Sequence, residues 1–446
     1  MEIKSFLSDV NRIHFIGIGG ASMSGLAKFC LTQGKIVSGS DKVLTVETRR
    51  LASLGAKIFK GHKALNAASA DLVVYSSAVD DSNPELCYAY RHGIPVIKRS
   101  QMLGEILSEF KKSIAVSGSH GKTTVTAMIA EIFIVAGLNP TVFLGGERKT
   151  FGNFRLGEKD YAVAEACEYK RNFLDIHPSV AVILNVDNDH VDTYKSIDES
   201  ISAFSLFAKN SFCVINADDD NASRIFNPCS VTFGIEKCAS YSAKYVTKTP
   251  CRAFTVYAYG KRLGRVNLKI AGRHNVYNAL AAIAVATECG IPFGKIQTAL
   301  NAFDGVKRRN EYLGKLFGVK CFADYAHHPT EIRALLTERS ERTLAVFQPH
   351  TYSRTAALMQ DFIRALTLAD GVVIYKTYPA REKFAIEGDA KTLFDALKER
   401  KAGDVFYAGS RSELKKKVNE IVKGYDKVLF IGAGDIYSVA LRLIQN

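Results

Sequence analysis

Short runs of apolar residues, each followed by a glycine-containing turn and a helical pattern, recur along this chain. The recurrence begins at Ile13–Ile16, begins again at Ser113–Val116 and begins a third time at Lys320–Ala323. Alternation of buried strands with helices is typical of parallel α/β sheets. We therefore predict an α/β fold in which such a sheet is built three times.

The pattern changes between residues 231 and 270, where apolar and polar residues alternate. Val231–Phe233, Arg252–Tyr259 and Arg265–Ile270 have the period of two that marks half-exposed strands, and Tyr259-Gly260-Lys261 has the composition of a tight turn. We predict that these strands form an antiparallel extension of the second sheet, which makes that sheet mixed. An alanine-rich helix is predicted next, over Asn275–Cys289.

The length of 446 residues exceeds what one hydrophobic core usually supports. The joins between the repeating patterns fall near Phe110–Lys112 and near Phe303–Arg309. We therefore expect domains over residues 1–110, 111–305 and 306–446.

Composition narrows the class of protein. Hydrophobic residues make up 47% and charged residues 23%, as in an ordinary globular chain, and no apolar run approaches the roughly 18 residues of a membrane span. The nine cysteines are scattered without a C-x-x-C pair, which favours free thiols and a cytoplasmic location. The net charge of +14 is spread along the chain, so we expect small anionic partners and neither nucleic acid nor a membrane.

The first glycine turn, Gly17-Ile18-Gly19-Gly20-Ala21-Ser22, is close to the dinucleotide pattern G-x-G-x-x-G, with Ser22 in place of the last glycine. Such a turn lets backbone N–H groups approach a pyrophosphate at a helix N-terminus. Asp41 follows about 20 residues later, where a carboxylate can bind a ribose hydroxyl. From these residues alone NAD, FAD and a UDP-sugar are all open as ligands.

The second turn, Gly118-Ser119-His120-Gly121-Lys122-Thr123-Thr124, is a phosphate-binding loop shortened by two residues. Its small residues expose N–H donors, Lys122 can place a cation on the β- and γ-phosphates, and Thr123 can coordinate Mg²⁺. Glu165 and His190 follow two later predicted strands, where α/β sheets place ligands. Taken alone, each of these two side chains is more often structural than a ligand.

Three further segments combine histidine with polar residues at strand ends or helix starts: residues 272–278, 324–330 and 348–355. His327 and His328 are adjacent, and side chains adjacent at a strand end diverge, so a metal shared by the two is disfavoured. Helix capping together with hydrogen bonding to a ligand is the preferred interpretation.

Taken together, the motifs resemble those of the Mur ligase family. The segments that carry the resemblance cover nearly the whole chain in order: HFIGIGGASMSGLA (14–27), GSHGKTT (118–124), EACEY (165–169), DNDHVDTY (187–194), GRHNVYNALAA (272–282), GVKRRNEYLG (305–314), DYAHHPTEI (324–332), FQPHTYSRT (347–355) and GAGDI (432–436). Within that family the motifs are most similar to those of the branch that adds L-alanine.

The resemblance implies three domains: a Rossmann-like N-terminal domain for a UDP-sugar, a central P-loop ATPase-like domain, and a Rossmann-like C-terminal domain that contacts the amino acid and ATP. It implies an ATP-dependent ligase of peptidoglycan precursor synthesis, and hence of cell wall biogenesis. The implied reaction joins L-alanine to the lactyl carboxylate of UDP-N-acetylmuramate through an acyl phosphate and yields ADP and phosphate. ATP and Mg²⁺ are the implied cofactors, and the implied assembly is a monomer or dimer.

The resemblance also implies roles for individual residues. Catalysis would involve Lys122, His190, His327, His350 and Arg354. ATP would be bound by Gly118, Ser119, His120, Gly121, Lys122, Thr123, Thr124, His274, Asn275, Asn278, Arg308, Arg309 and Asp324. The UDP-sugar would be bound by Gly17, Gly19, Ser22, Asp41, Ser76, Ser77 and Asn83, and the metal by Thr123, Glu165 and His190.

Three alternatives stay open at this point. A sister enzyme of the family attaches a murein tripeptide to the same UDP-sugar, although Glu331 and the string Pro-His-Thr-Tyr-Ser-Arg favour L-alanine. The first domain alone would also suit a nicotinamide-dependent dehydrogenase, although Ser22 weakens that interpretation. A non-catalytic nucleotide sensor is the third.

The sequence EACEY departs from the commoner family form EADESD, which makes a role for Glu168 less secure than one for Glu165.

Overall fold

The computed structural model describes residues 7–187, 193–248, 252–337, 341–380, 382–401 and 403–445. Its strands form three sheets, of five, ten and six strands. The chain makes two compact units: one holds the residues up to Lys244 with Thr255–Val266 and Tyr277–Phe303, and the other holds Tyr245–Phe254, Asn267–Val276 and the chain from Asp304 onward. No helix in the described part of the chain is long and apolar enough to cross a membrane.

The first sheet is parallel, with the strand order β3-β2-β1-β4-β5. Its strands are β1 Arg12–Ile16, β2 Ile36–Asp41, β3 Lys57–Lys60, β4 Leu72–Tyr75 and β5 Val96–Lys98. Its helices are α1 Ala21–Thr32, α2 Val46–Ser53, α3 Pro84–Arg91 and α4 Arg99–Ser108. The chain runs from β1 to one edge and then returns to the other side of β1, so the loops after β1 and β4 meet where the strand order reverses. Ligands of open α/β sheets bind at such a point.

The second sheet has ten strands, in the order β15-β14-β13-β12-β11-β10-β6-β9-β7-β8. These are β6 Lys112–Ser117, β7 Thr141–Arg148, β8 Gly152–Arg155, β9 Tyr161–Glu165, β10 Val180–Ile183, β11 Phe212–Asn216, β12 Ser230–Gly234, β13 Tyr241–Lys244, β14 Ala253–Ala258 and β15 Lys261–Asn267. The helices are α5 Lys122–Ala136, α6 Ile197–Ala208, α7 Arg273–Glu288 and α8 Phe293–Ala302. As predicted, the sheet is mixed.

The third sheet has the order β16-β17-β21-β18-β19-β20 and is parallel except for its edge strand β16. The strands are β16 Glu311–Leu316, β17 Val319–Asp324, β18 Thr343–Phe347, β19 Gly371–Tyr375, β20 Val405–Ala408 and β21 Lys427–Ile431. The helices are α9 Pro329–Thr337, α10 Tyr352–Ala357, α11 Met359–Leu366, α12 Ala390–Arg400, α13 Arg411–Ile421 and α14 Ile436–Ile444.

The prediction for the strand at Val231–Phe233 is wrong in its direction. Strand β12 pairs parallel with β11 and also parallel with β13, and the antiparallel pairing begins only between β13 and β14. The alternating pattern identified an exposed edge region, but alternation does not report the direction of a partner strand. The tight turn at Tyr259-Gly260 is confirmed, since both residues have positive φ angles, 49° and 78°.

One apolar core serves both the first and the second sheet. Leu103 and Ile106 of α4 belong to the same buried cluster as Phe173 and Phe204 of the following region. Because burial of apolar surface is stabilising, this shared cluster holds the two sheets together in one compact unit. The third sheet has separate buried clusters on its two faces, one with Phe362 and one with Val439.

A buried acidic residue, Glu85 of α3, lies beneath the first sheet with no exposed surface. Its carboxylate accepts hydrogen bonds from Ser40 at 2.6 Å and from Asn66 at 2.6 Å. His62 Nδ1 lies 3.0 Å from it, and the buried His14 Nε2 lies 3.7 Å from it. Burial by itself raises the pKa of Glu85, but these partners outweigh burial and lower it to about 2. The cluster therefore holds an ionised carboxylate inside the first unit.

Candidate functional site

The glycine turn after β1 is folded onto the end of β2. The N–H groups of Gly17 and Ile18 donate to the Ser40 carbonyl at 2.8 and 3.0 Å, and the N–H of Gly19 donates to Asp41 Oδ2 at 2.9 Å. Gly17 has a φ of +83°, a conformation that favours glycine. The carboxylate of Asp41 thus holds the loop in shape, which is a local role beside the ribose contact expected for it.

Cations and amides surround the serine residues expected to bind the UDP-sugar. Arg99 donates to Ser22 Oγ at 3.2 Å, and Ser77 Oγ donates to Asn172 Oδ1 at 2.9 Å. Lys170 Nζ donates to the Ser77 carbonyl at 2.9 Å. The sequence prediction missed these three partners. Arg99 does carry a local signal, because it directly follows strand β5 at the carboxyl edge of the sheet.

The two remaining residues of that set have different environments. Ser76 lies beside the glycine turn, since a Cβ placed on Gly17 would stand 3.5 Å from its Oγ. Asn83 is buried, and its side-chain oxygen caps α3 by accepting from the N–H groups of Glu85 at 2.9 Å and Leu86 at 3.4 Å. Asn83 therefore has a structural task, and its expected contact with the sugar stays a prediction.

The phosphate-binding loop connects β6 with α5, as expected. Strand β6 lies between β10 and β9, so the residues that follow those two strands converge on the loop. Asn185, after β10, holds the loop on both sides: its carbonyl accepts from Ser119 N–H at 3.1 Å and its Oδ1 accepts from His120 N–H at 2.7 Å. Gly118 and Gly121 have φ angles of +141° and +89°, which explains why glycine occupies both positions.

Asp187 also contacts the loop through its backbone and its side chain. Ser119 Oγ accepts from Asp187 N–H at 2.8 Å, and His120 Nε2 lies 3.2 Å from Asp187 Oδ2. Thr124 follows in the first turn of α5 and is buried. The predicted loop residues are therefore brought together around one fixed backbone.

Lys122 is held by a buried carboxylate. Its ammonium lies 3.0 and 2.9 Å from the two oxygens of Glu168, and it also donates to the carbonyl groups of Gly118 and Ser119. Glu168 is 2% exposed, and its own carbonyl accepts from the hydroxyl of Tyr194 at 2.6 Å. Glu168, whose role the sequence made less secure than that of Glu165, is thus the direct partner of Lys122.

Thr123, at the end of the loop, and Glu165, at the end of β9, bring several oxygen atoms together. Thr123 Oγ1 donates to Glu165 Oε2 at 3.1 Å, and the other carboxylate oxygen accepts from Gly145 N–H. A Cβ on Gly145 would stand 2.7 Å from Glu165 Oε2, so a larger residue there would displace this carboxylate. Hydroxyl and carboxylate oxygens are ligands that suit Mg²⁺. His190, the third expected ligand, lies outside the described residues.

The residues expected to hold adenine lie in the first turns of α7. Asn275 Nδ2 donates to the Ala271 carbonyl at 2.6 Å, and His274 is exposed at the start of the helix. Asn278, one turn later, is buried and approaches the phosphate-binding loop so closely that a Cβ on Gly121 would stand 2.7 Å from its Oδ1. Of the three, Asn278 is thus placed beside the phosphate-binding loop.

Gly121→Ala is expected to lower the free energy of unfolding by about 1–3 kcal/mol, from left-handed backbone strain and the displaced Asn278. It should also raise the KM for ATP more than the KM for the amine substrate. Denaturant unfolding and steady-state kinetics measure the two effects. Gly137→Ala is the matched control, because Gly137 has a similar φ of +85° but open space around its Cβ position. Equal effects of both variants on the KM for ATP would contradict this account.

In the second unit, Arg308 serves the local fold. Its guanidinium donates to the Gly432 and Gly434 carbonyls at 2.8 and 3.2 Å and lies 4.6 Å over the ring of Tyr325. Arg309 Nη1 is 3.7 Å from Glu331 Oε1. Both arginines thus have partners within the second unit, and their expected contact with ATP stays a prediction.

Asp324, at the end of β17, is 7% exposed and accepts from the N–H groups of Asn310 at 2.7 Å and Ala326 at 2.8 Å. Burial raises its pKa to about 6, and the charge of Arg309 opposes that rise. A carboxyl with this pKa changes its charge near neutral pH, and its expected contact with ATP stays a prediction.

The histidines of the second unit gather at the ends of β17 and β18. The rings of His327 and His350 lie 5.8 Å apart, and His350 stacks on Tyr378 at 5.5 Å. Glu331 Oε2 accepts from the N–H groups of His327 at 3.0 Å and His328 at 3.4 Å, so it caps α9. Helix capping, as expected for this segment, is confirmed, because His328 Nδ1 accepts from the Thr330 N–H at 3.4 Å and Glu331 completes the cap. The expected hydrogen bond to a ligand stays a prediction. Arg354 lies in α10, four residues after His350.

Family models match three successive parts of the chain. The model described as Mur ligase family, catalytic domain, matches residues 12–111, the Mur ligase middle domain matches 116–286, and the Mur ligase, glutamate ligase domain, matches 308–434. Together they indicate a three-domain α/β fold.

Individual proteins are similar over the full length. The UDP-N-acetylmuramate--L-alanine ligase of Caldanaerobacter subterraneus subsp. tengcongensis is 42% identical, covering 100% of this chain and 99% of that protein. The structure of the UDP-N-acetylmuramate-alanine ligase of Thermotoga maritima is 33% identical with a TM-score of 0.84, covering 98% of each chain. That of a murein peptide ligase from Psychrobacter arcticus is 25% identical with a TM-score of 0.74, again covering 98% of each.

Proposed function

Because this chain belongs to the Mur ligase family, we propose that it joins L-alanine to the lactyl carboxylate of UDP-N-acetylmuramate with consumption of ATP. The observation that carries the proposal is the end-to-end match, at 42% identity, with a ligase named for that reaction. The phosphate-binding loop, with Lys122 at its end, supports an ATP-dependent first step.

In the proposed first step, a lactyl carboxylate oxygen attacks the γ-phosphorus of ATP and ADP leaves. The product is an acyl phosphate. Phosphoryl transfer of this kind depends mainly on positioning and on neutralising phosphate charge. Lys122 provides a cation for the β- and γ-phosphates, and Asn185, which accepts from the N–H groups of Ser119 and His120, fixes the backbone of the loop beside it.

In the proposed second step, the amine nitrogen of L-alanine attacks the acyl carbon and phosphate leaves from the tetrahedral intermediate. The amine must lose a proton in this step, and an imidazole is suited to accept it. His327 and His350, whose ring centres lie 5.8 Å apart, are our candidates for orienting the amine and taking that proton. Arg354 is our candidate for binding an anionic group of the acceptor or the acyl phosphate.

The cofactors and the location are part of the same proposal. Thr123 and Glu165, with His190, would hold Mg²⁺, which supplies neutralisation of the phosphate charge when it is bound. The residues around the first glycine turn would bind the UDP-sugar, and Arg99 and Lys170 add positive charge for its pyrophosphate. All cysteines among the described residues are free thiols, which supports a cytoplasmic location.

We also propose that the three domains extend over residues 1–110, 111–305 and 306–446. The first boundary lies within one residue of the end of the first matched segment, at residue 111. The second boundary lies between the second and third matched segments, which end at residue 286 and begin at residue 308.

The choice of acceptor is tested directly with purified protein, ATP, Mg²⁺ and UDP-N-acetylmuramate. L-alanine is expected to stimulate phosphate release and to give a ligated product of the matching mass. The murein tripeptide L-alanyl-γ-D-glutamyl-meso-diaminopimelate is expected to give neither. Product with the tripeptide alone would assign the chain to the recycling branch. If the protein binds NAD(H) and the UDP-sugar does not protect it, a dehydrogenase would be favoured instead.

A further inference from the structure

The segment that carries His350 is clamped by a second loop of the same unit. Thr351 N–H donates to the Tyr378 carbonyl at 2.9 Å, and Tyr378 N–H donates to the Pro349 carbonyl at 2.8 Å. These bonds form a short parallel bridge between His350 and Tyr378, whose rings also stack. The position of the imidazole is therefore set by the loop around Tyr378.

Glu382, four residues further along that loop, holds the start of α10. Its Oε2 accepts from the N–H groups of Tyr352 at 2.6 Å and Ser353 at 2.9 Å, and its Oε1 accepts from the Ser353 hydroxyl. The first N–H groups of a helix lack partners within the helix, and the side chain of Thr351 provides no cap here. A carboxylate distant in sequence satisfies them, so these donors are already occupied.

Thr351, between the two sets of bonds, has a strained backbone. Its φ of 67° and ψ of 146° lie close to a region that glycine populates almost alone, and its side chain is β-branched. Such a conformation persists only where the surroundings impose it. The Thr351 N–H donates to the Tyr378 carbonyl, and the Tyr352 N–H donates to Glu382 Oε2, so hydrogen bonds fix the peptide groups on both sides of the strained residue.

We propose that Glu382 is a positioning residue for amine transfer, which holds the turn at Thr351 in the strained form and thereby places His350 and Arg354. The inference rests on the proposed function, in which those two side chains face the acyl phosphate and the incoming amine. Glu382 acts only through the backbone of residues 351–353, and it contacts no substrate in this account.

The test separates the two steps of the reaction. Wild type and Glu382→Ala are given ATP, Mg²⁺ and UDP-N-acetylmuramate without L-alanine and are quenched with hydroxylamine, which converts an acyl phosphate into a hydroxamate. The variant is expected to form hydroxamate as fast as wild type. With L-alanine present, its kcat/KM for ligation is expected to fall by about 10²-fold, the loss typical of a misplaced catalytic group.

A second substitution distinguishes positioning from general stability. Glycine adopts the backbone of residue 351 without strain, so Thr351→Gly in the Glu382→Ala background is expected to recover most of the lost ligation rate. Glu387→Ala, an exposed acid on the same segment, is the matched control and should behave as wild type.

The outcomes are separable. If wild type itself does not ligate L-alanine, the proposed function fails. If wild type ligates L-alanine, three results would show that the positioning role is wrong. Glu382→Ala could ligate as well as wild type, or its hydroxamate formation could fall as much as its ligation. The third result is that Thr351→Gly does not restore ligation in the Glu382→Ala background.

Discussion

Replacing Lys122 by alanine is expected to lower kcat/KM for ligation by about 10³-fold, equivalent to about 4 kcal/mol of transition-state stabilisation. The reason is the loss of the cation that, in the proposed function, neutralises charge on the transferred phosphate. The charge developing on that phosphate would then be met by water and the remaining donors. Phosphate release in the presence of UDP-N-acetylmuramate and L-alanine measures the effect.

The structure supplies a specific control for this variant. Lys122→Ala leaves the carboxylate of Glu168, which is 2% exposed, without its ammonium partner, and a buried charge stripped of its partner costs about 3–5 kcal/mol. Some activity could be lost for that reason alone. The double variant Lys122→Ala with Glu168→Ala removes the orphaned charge. It is expected to be more stable to heat than Lys122→Ala, without recovering ligation.

Two results would contradict this account. Recovery of ligation in the double variant would mean that Lys122 matters only as the partner of Glu168. Near-normal activity of Lys122→Ala would mean that the loop does not bind the reacting phosphates. Lys159→Ala, which removes an exposed lysine of the same unit, is the control for general loss of charge.

The parts of the fold that follow from local pattern were predictable. The runs at Ile13–Ile16 and Ser113–Val116 became β1 and β6, because continuous apolar runs followed by glycine turns have few other structures available. Lys320–Ala323 became β17, as predicted, although a polar segment without glycine follows it. The phosphate-binding loop was predictable for the same reason, since glycines with positive φ, a lysine and a threonine must lie in a fixed order.

The parts that depend on distant partners were not predictable. The pairing of β12 with β13 is parallel, and alternation of residues does not encode the direction of a partner strand. Glu382 contacts residues 29 and 30 positions away, and nothing near it in sequence indicates a helix-capping role. The third metal candidate, His190, lies outside the described residues, so that part of the site stays a prediction.

Glu85 shows most clearly how a residue can depend on partners that are distant in sequence. We expect its removal to have the largest effect on the free energy of unfolding. Its four partners come from β1, β2 and the region after β3, so the sequence around Glu85 shows only an ordinary helix. Glu85→Ala leaves the polar groups of Ser40, Asn66, His14 and His62 without the carboxylate that they surround. We expect the free energy of unfolding of the first unit to fall by about 3–5 kcal/mol. Denaturant unfolding measures this, with the exposed Glu105→Ala as control.

The pH dependence distinguishes this charge from a packing effect. Because the partners of Glu85 lower its pKa to about 2 from an ordinary 4.5, the ionised carboxylate stabilises the folded state above about pH 4.5, and that contribution is lost as the pH falls towards 2. The difference in stability between wild type and Glu85→Gln should therefore be largest near neutral pH and should shrink between pH 4.5 and pH 2. A cavity or a misfitted amide would cost the same at every pH. A difference that does not change over this interval would show that the ionised form of Glu85 is not what stabilises the first unit.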